Sequence, residues 1–175
     1  MSGEADNVLL YGFGNPARGD DGLGPALAAA IDSLALPGVV VDANYQLTVE
    51  DAAEIAEYAV VVFVDAAAVG PAPFWFYRID DASILSASAI GWSSHSVSPT
   101  QVVSLARDLF QSSVPAYILA VRGYVFGDLD ESLSPGAQAN LAEAVLFASK
   151  ALVEGAFDAY VQEHGHPAAG IPPAA

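Results

Sequence analysis

Two adjacent aspartates, Asp20 and Asp21, follow the turn Gly12-Phe13-Gly14-Asn15 and are bracketed by Gly19, Gly22 and Gly24. The glycines strip side chains from around the carboxylates, so whatever approaches this turn meets acid. A carboxylate at a helix N-terminus caps the helix or complements its dipole and stabilises it by roughly 0.5–2 kcal/mol, which accounts for one of the two. The other is left for chemistry. A third acid, Asp65, ends the apolar run Val60-Val61-Val62-Phe63-Val64. His95 is the only histidine ahead of the C-terminal tail and lies in the irregular polar stretch Gly91-Trp92-Ser93-Ser94-His95-Ser96. Two carboxylates and one imidazole suit Zn, Ni, Mn or Fe in an open site. A loop histidine by itself also reads as a surface hydrogen-bonding residue, and spacing alone does not bring the three groups together.

Other chemistries are less well served. Gly12, Gly14 and Ala17 satisfy a dinucleotide-binding fingerprint directly after a strand, and Asp42 stands where a ribose-binding acid is expected. Pro16, Arg18 and Gly19 delay the following helix, however, so that its positive pole falls on Asp20 and Asp21, which repel a pyrophosphate. The chain carries no H-E-x-x-H, no phosphate-binding loop and no G-x-S-x-G elbow. It has no cysteine, which excludes disulfides, zinc ribbons, iron-sulfur clusters and a thiol nucleophile.

The elements that must position these residues alternate short β-branched and aromatic runs with Ala-rich stretches of helical spacing, the pattern of a mostly parallel sheet wrapped by helices. Strands are predicted over Val8–Phe13, Val39–Ala43, Val60–Val64, Phe74–Ile79 and Tyr117–Val121. Pro73 just before the fourth suggests a sheet edge. Helices are predicted over Asp21–Leu34 and from the box-like Thr48-Val49-Glu50-Asp51 to about Tyr58. A third runs from Pro99 to about Phe110, behind a capping box at Ser98 and Gln101, and a last one starts at Ser134-Pro135 and reaches Lys150 and beyond. In a doubly wound sheet, ligands bind outside the carboxyl ends of strands near the point where strand order reverses. Asp21 after the first strand and Asp65 after the third would face one such crevice.

The whole is expected to be a single domain, 1–163, with a loose Pro/Ala/Gly tail, 164–175, in which His164 and His166 are solvated. With 21 Asp and Glu against 5 Lys and Arg, the net charge of -16 argues against nucleic acid and anionic membranes as partners and favours a cation or a basic protein segment. No secretory leader or membrane-length apolar run is visible, which points to the cytoplasm.

The cluster Gly12-x-Gly14-Asn15 with Asp20-Asp21-Gly22-x-Gly24, the strand ending in Asp65, and Ser94-His95 ahead of a Leu/Ala helix resembles the nickel-iron hydrogenase maturation endopeptidases. Val121-Arg122-Gly123-Tyr124 and Leu133-Ser134-Pro135 are similar to that family's closing pattern. The resemblance spans roughly residues 8 to 152. It implies a three-layer α/β/α sandwich around a five-stranded, mostly parallel twisted sheet. It also implies an endopeptidase that removes a C-terminal extension from the precursor large subunit of a nickel-iron hydrogenase after nickel insertion. By the same resemblance the metal-recognising and catalytic residues are Asp21, Asp65 and His95. Asn15, Asp20 and Arg18 are expected in the substrate cleft; Arg18 stands where many relatives carry apolar residues, and its charge suits the acidic turn or a substrate's terminal carboxylate. The nickel arrives with the substrate, and no organic cofactor is used. Two rival readings are a metal-sensing or chaperone module that binds the large subunit without cutting it, and a nucleotide-binding domain.

Overall fold

A computed structural model describes residues 7–89, 97–127 and 129–165. Its sheet contains β1 (Val8–Phe13), β2 (Val39–Asn44), β3 (Val60–Ala67), β4 (Phe74–Arg78) and β5 (Ala116–Arg122), in the order β2-β1-β3-β5-β4. All neighbours are parallel except β4, which is antiparallel to β5. The edge position expected for β4 is the one it occupies. Among the described residues, six helices flank the sheet: α1 (Leu23–Asp32), α2 (Asp51–Ile55), α3 (Asp81–Ala89), α4 (Pro99–Phe110), α5 (Pro135–Glu154) and α6 (Phe157–His164).

The two faces follow from the period-two alternation of the strands. Leu10, Val62, Val64, Leu119 and Val121 pack on one side with Leu27 and Ile31 of α1, Ala144 and Ala148 of α5, and Phe157 of α6. Leu9, Tyr11, Phe63, Ile118 and Ala120 face the other way, against Ile55 of α2 and Val102 and Val103 of α4. Because β1, β3 and β5 are covered on both faces, they read as continuous apolar runs. Each fully buried Leu or Ile contributes about 1.5–3 kcal/mol relative to exposure. The result is the three-layer sandwich the sequence implied.

Close backbone packing brings α1 onto the sheet. A Cβ on Gly24 would lie 2.3 Å from the Phe13 carbonyl oxygen and 2.7 Å from that of Val64, and a Cβ on Gly12 would lie 2.3 Å from the Gly24 carbonyl oxygen. No side chain fits between these segments, so the start of α1 sits directly over the ends of β1 and β3.

Several expectations change. Strand β3 does not stop at Asp65; it runs on to Ala67, because Asp65, Ala66 and Ala67 continue to pair with Ala120, Val121 and Arg122 of β5. Helix α1 begins only at Leu23, after a 3-10 turn over Asp20–Gly22, and α2 ends at Ile55. The C-terminal helix divides at Gly155, which takes a left-handed conformation (φ 68°) and separates α5 from α6. His164 is the last residue of α6. Its ring packs against Phe74 and Phe147 at 5.5 and 4.8 Å, so it belongs to the folded domain rather than to a solvated tail. His166 and the rest of the tail lie outside the described residues. Among those that are described, no helix is long and apolar enough to cross a membrane.

Candidate functional site

Strand order reverses direction around β1: the chain passes to one side to form β2 and to the other to form β3. At the carboxyl ends of these strands the coverings diverge and a crevice opens. It is a cleft of about 510 Å³ lined by residues including Asp21, Asp65, Tyr45, Leu47, Gln101 and Phe126. Asp21 and Asp65 therefore share one cleft, as the sequence suggested. Among the described residues, neither Lys nor Arg lines it.

Asp65 reaches the cleft because β3 overhangs β1. Register pairs Gly12 with Val64, so Asp65 is the first residue of β3 beyond its β1 partner. Its side chain leaves the sheet on the side of α2 and α4 and is half-buried, accepting a hydrogen bond from the Ala66 N–H at 2.8 Å. Burial pushes its carboxyl up to about 7; the Ala66 amide opposes that rise, and the negative charge of Asp21 adds to it. The Asp65 charge also reaches Tyr77 on β4, whose phenol is pushed up, mainly by burial. Tyr77 had no role in the sequence reading; the only signal for it was its place two residues from Trp75 on the same face of an edge strand.

Asp21 stands in the 3-10 turn between β1 and α1. Its Oδ2 accepts the Asn15 N–H at 2.8 Å, and the Asn15 Oδ1 in turn accepts the Ala17 N–H at 2.9 Å. The turn is thus folded on its own polar groups and presents Asp21 to the cleft. Neither Asp20 nor Asp21 provides a side-chain cap to the 3-10 turn or to α1, so the capping reading of the pair does not hold. Nor does α1 offer an open pole to a pyrophosphate, since its first residues, Leu23 and Gly24, are buried.

The three residues expected to line the cleft beside the acids do not. Asn15 spends its Oδ1 inside the turn, and Arg18 is exposed, with its backbone bridged to Asp130. Asp20 is 0% exposed, and its carboxylate points into the protein, where it accepts four hydrogen bonds from the segment 124–134. Internal donors occupy Asn15 Oδ1 and the Asp20 carboxylate, whereas the Arg18 side chain is exposed outside the cleft lining.

His95 lies outside the described residues. Further along the chain, Val97, Ser98, Pro99 and Gln101 all line the cleft. The start of α4 is fixed by the expected capping box: the Gln101 N–H donates to Ser98 Oγ at 3.2 Å and the Ser98 N–H to Gln101 Oε1 at 2.9 Å. Among the described residues, no three His, Cys, Asp or Glu side chains converge to hold a metal ion. The pair of carboxylates supplies hard oxygen donors, and a cation between them would relieve the burial and like-charge repulsion that raise Asp65.

Tyr45, Gln46 and Leu47 complete the wall beyond β2, although nothing in their types had marked them. Behind them, the Tyr11 hydroxyl donates to Asp51 Oδ1 at 3.0 Å, and Asp51 Oδ2 accepts the Thr48 N–H at 2.6 Å.

No protein-family model matches the sequence, and no curated protein does. Solved structures do match. The NiFe hydrogenase maturation protease HycI from Thermococcus kodakarensis superposes with a TM-score of 0.64 at 20% identity, over 85% of this chain and 93% of that one. A hydrogenase 2 maturation peptidase from a Thaumarchaeota archaeon gives 0.61 at 23%, over 83% and 97%. The hydrogenase maturating endopeptidase HybD from E. coli gives 0.62 at 17%, over 86% and 94%. The chain therefore has the fold of the hydrogenase maturation proteases, with two acids on one cleft at the carboxyl edge of its sheet.

Proposed function

We propose that this chain is a cytoplasmic endopeptidase that removes the C-terminal extension of the precursor large subunit of a nickel-iron hydrogenase once nickel has been inserted. The observation that carries this reading is the placement of Asp21 and Asp65 on one cleft that, among the described residues, no Lys or Arg lines, in a fold shared with hydrogenase maturation proteases.

In this reading the nickel is cargo of the substrate, and Asp21, Asp65 and His95 take it up as the extension enters. Val97, two residues after His95, lines the same cleft, which supports the imidazole as the third donor. Two carboxylate oxygens and an imidazole nitrogen are ligands a divalent first-row metal accepts. A carboxyl held near 7, as Asp65 is, gives up its proton readily when a cation arrives. Docking through the metal makes loading a condition of cutting. A divalent ion held there polarises a neighbouring carbonyl or activates water, and a carboxylate freed of its proton serves as a general base.

The test is the intact mass of a precursor large subunit incubated with the protein, with and without nickel loaded. The expected result is a nickel-dependent loss of a C-terminal peptide. An unchanged mass together with a stable complex would replace this reading with that of a binding module that senses the loaded subunit without cutting it.

A further inference from the structure

We propose that Asp20 is a positioning residue for the cleft: one buried carboxylate ties the turn that carries Asp21 to the segment that carries Phe126, and so sets two of the cleft's walls together. The inference rests on the cleft's being the processing site.

Asp20 Oδ2 accepts the Tyr124 N–H at 2.7 Å, the Val125 N–H at 2.9 Å and the Ser134 hydroxyl at 2.7 Å, while Oδ1 accepts the Ser134 N–H at 2.7 Å. These partners lie more than a hundred positions away in the chain. The main chain reinforces the tie: the Asp20 N–H donates to the Val125 carbonyl at 2.8 Å and the Gly19 N–H to that of Asp130 at 2.7 Å. Ser134 also caps α5, its Oγ accepting the Ala137 N–H at 3.3 Å, so the same carboxylate fixes where that helix begins.

Two neighbours of this knot face the cleft. Asp21 follows Asp20 directly, and Phe126 follows Val125. The Phe126 ring folds back over the knot: a Cβ on Gly123 would lie 2.8 Å from both Phe126 Cζ and Asp20 Cβ, so only glycine leaves room for the ring. Phe126 stays 36% exposed and lines the cleft. The donors to Asp20 are what hold it there.

Asp20→Asn keeps the shape of the side chain and turns an amide donor against either the Ser134 N–H or the cluster on Oδ2. Hydrogen exchange at the Tyr124, Val125 and Ser134 amides should accelerate about tenfold or more, with β1 and β3 unchanged. In the processing assay KM for the precursor should rise about tenfold with kcat changed less than about threefold. Phe126→Ala, which leaves the knot intact, should raise KM similarly while exchange at those amides stays at the wild-type rate. Unaltered exchange in Asp20→Asn would overturn the proposal, as would a wild-type KM in either variant. If the wild-type protein does not process the precursor at all, the proposed function fails. Exchange together with the position of the Phe126 ring in a crystal structure of Asp20→Asn then decides whether Asp20 sets the walls: a displaced ring supports it, an unmoved ring overturns it.

Discussion

Asp20 and Asp65 sit a short distance apart in the same fold, and their environments treat a negative charge in opposite ways. Asp20 is completely buried, Asp65 only half-buried. Exposure alone would suggest that the charge is easier to hold on Asp65. The reverse holds: although burial pushes the Asp20 carboxyl up, the donors from Ser134, Tyr124 and Val125 outweigh it and hold the group below its usual range. Asp65 has one amide and a neighbouring carboxylate, and it is pushed up to about 7. Burial disfavours the charge on both; aimed donors outweigh it at Asp20, and a single amide does not at Asp65. The first is a structural charge, and the second lines the cleft.

That contrast can be broken most sharply by activity. Asp65→Asn and Asp21→Asn should lower the rate of precursor processing by on the order of a hundredfold or more, read by mass spectrometry, while both variants remain folded. His95→Ala should do the same. Full activity in any of the three would remove that residue from the site.

Stability should separate the acids next. Asp20→Ala strands four donors in the interior and should destabilise the domain by about 3 kcal/mol or more in urea unfolding. Asp65→Ala should cost far less, since it deletes a charge the fold disfavours.

The pH dependence distinguishes them again. The folded Asp65 carboxyl binds its proton up to about 7, whereas in the unfolded chain it releases it near 4. Over that window the native state holds more protons than the unfolded one, so the Asp65 contribution to stability declines as pH rises. Asp65→Asn should abolish this decline and melt at a higher temperature than the wild type at pH 8, with the two converging near pH 4. The depressed Asp20 has the opposite sign: its contribution is present above its unfolded value and is lost as pH falls through its folded one. The smallest effect is expected from nickel alone. At pH 8 millimolar Ni²⁺ should raise the melting temperature by a few degrees in the wild type and not in Asp65→Asn, an increment set by binding to the folded state only.

Much of the framework was legible because its signals are local. The Pro99 helix begins and ends where its capping box and apolar spacing place it, and β1 has the bounds its apolar run predicted. Helix α3 was missed: in Asp81-Ala82-Ser83-Ile84-Leu85-Ser86-Ala87-Ser88-Ala89 the large apolar residues are only two, and no amphipathic stripe repeats. The extension of β3 past Asp65 was missed because its β5 partner, not its own residue types, keeps it paired.

Asp20 and Asp21 show where sequence stops and tertiary structure takes over. Composition, strand-helix alternation and the glycine-flanked acids determined an α/β sandwich with carboxylates at the mouth of its switch-point crevice. The sequence reading put both of these adjacent acids at the cleft, and nothing local marked which of the two turns away from it. That was decided by main-chain N–H groups at Tyr124, Val125 and Ser134, which every sequence possesses and only a fold aims. They take Asp20 for the interior, the Asn15 amide turns Asp21 outward, and the register of β3 on β1 leaves Asp65 facing it.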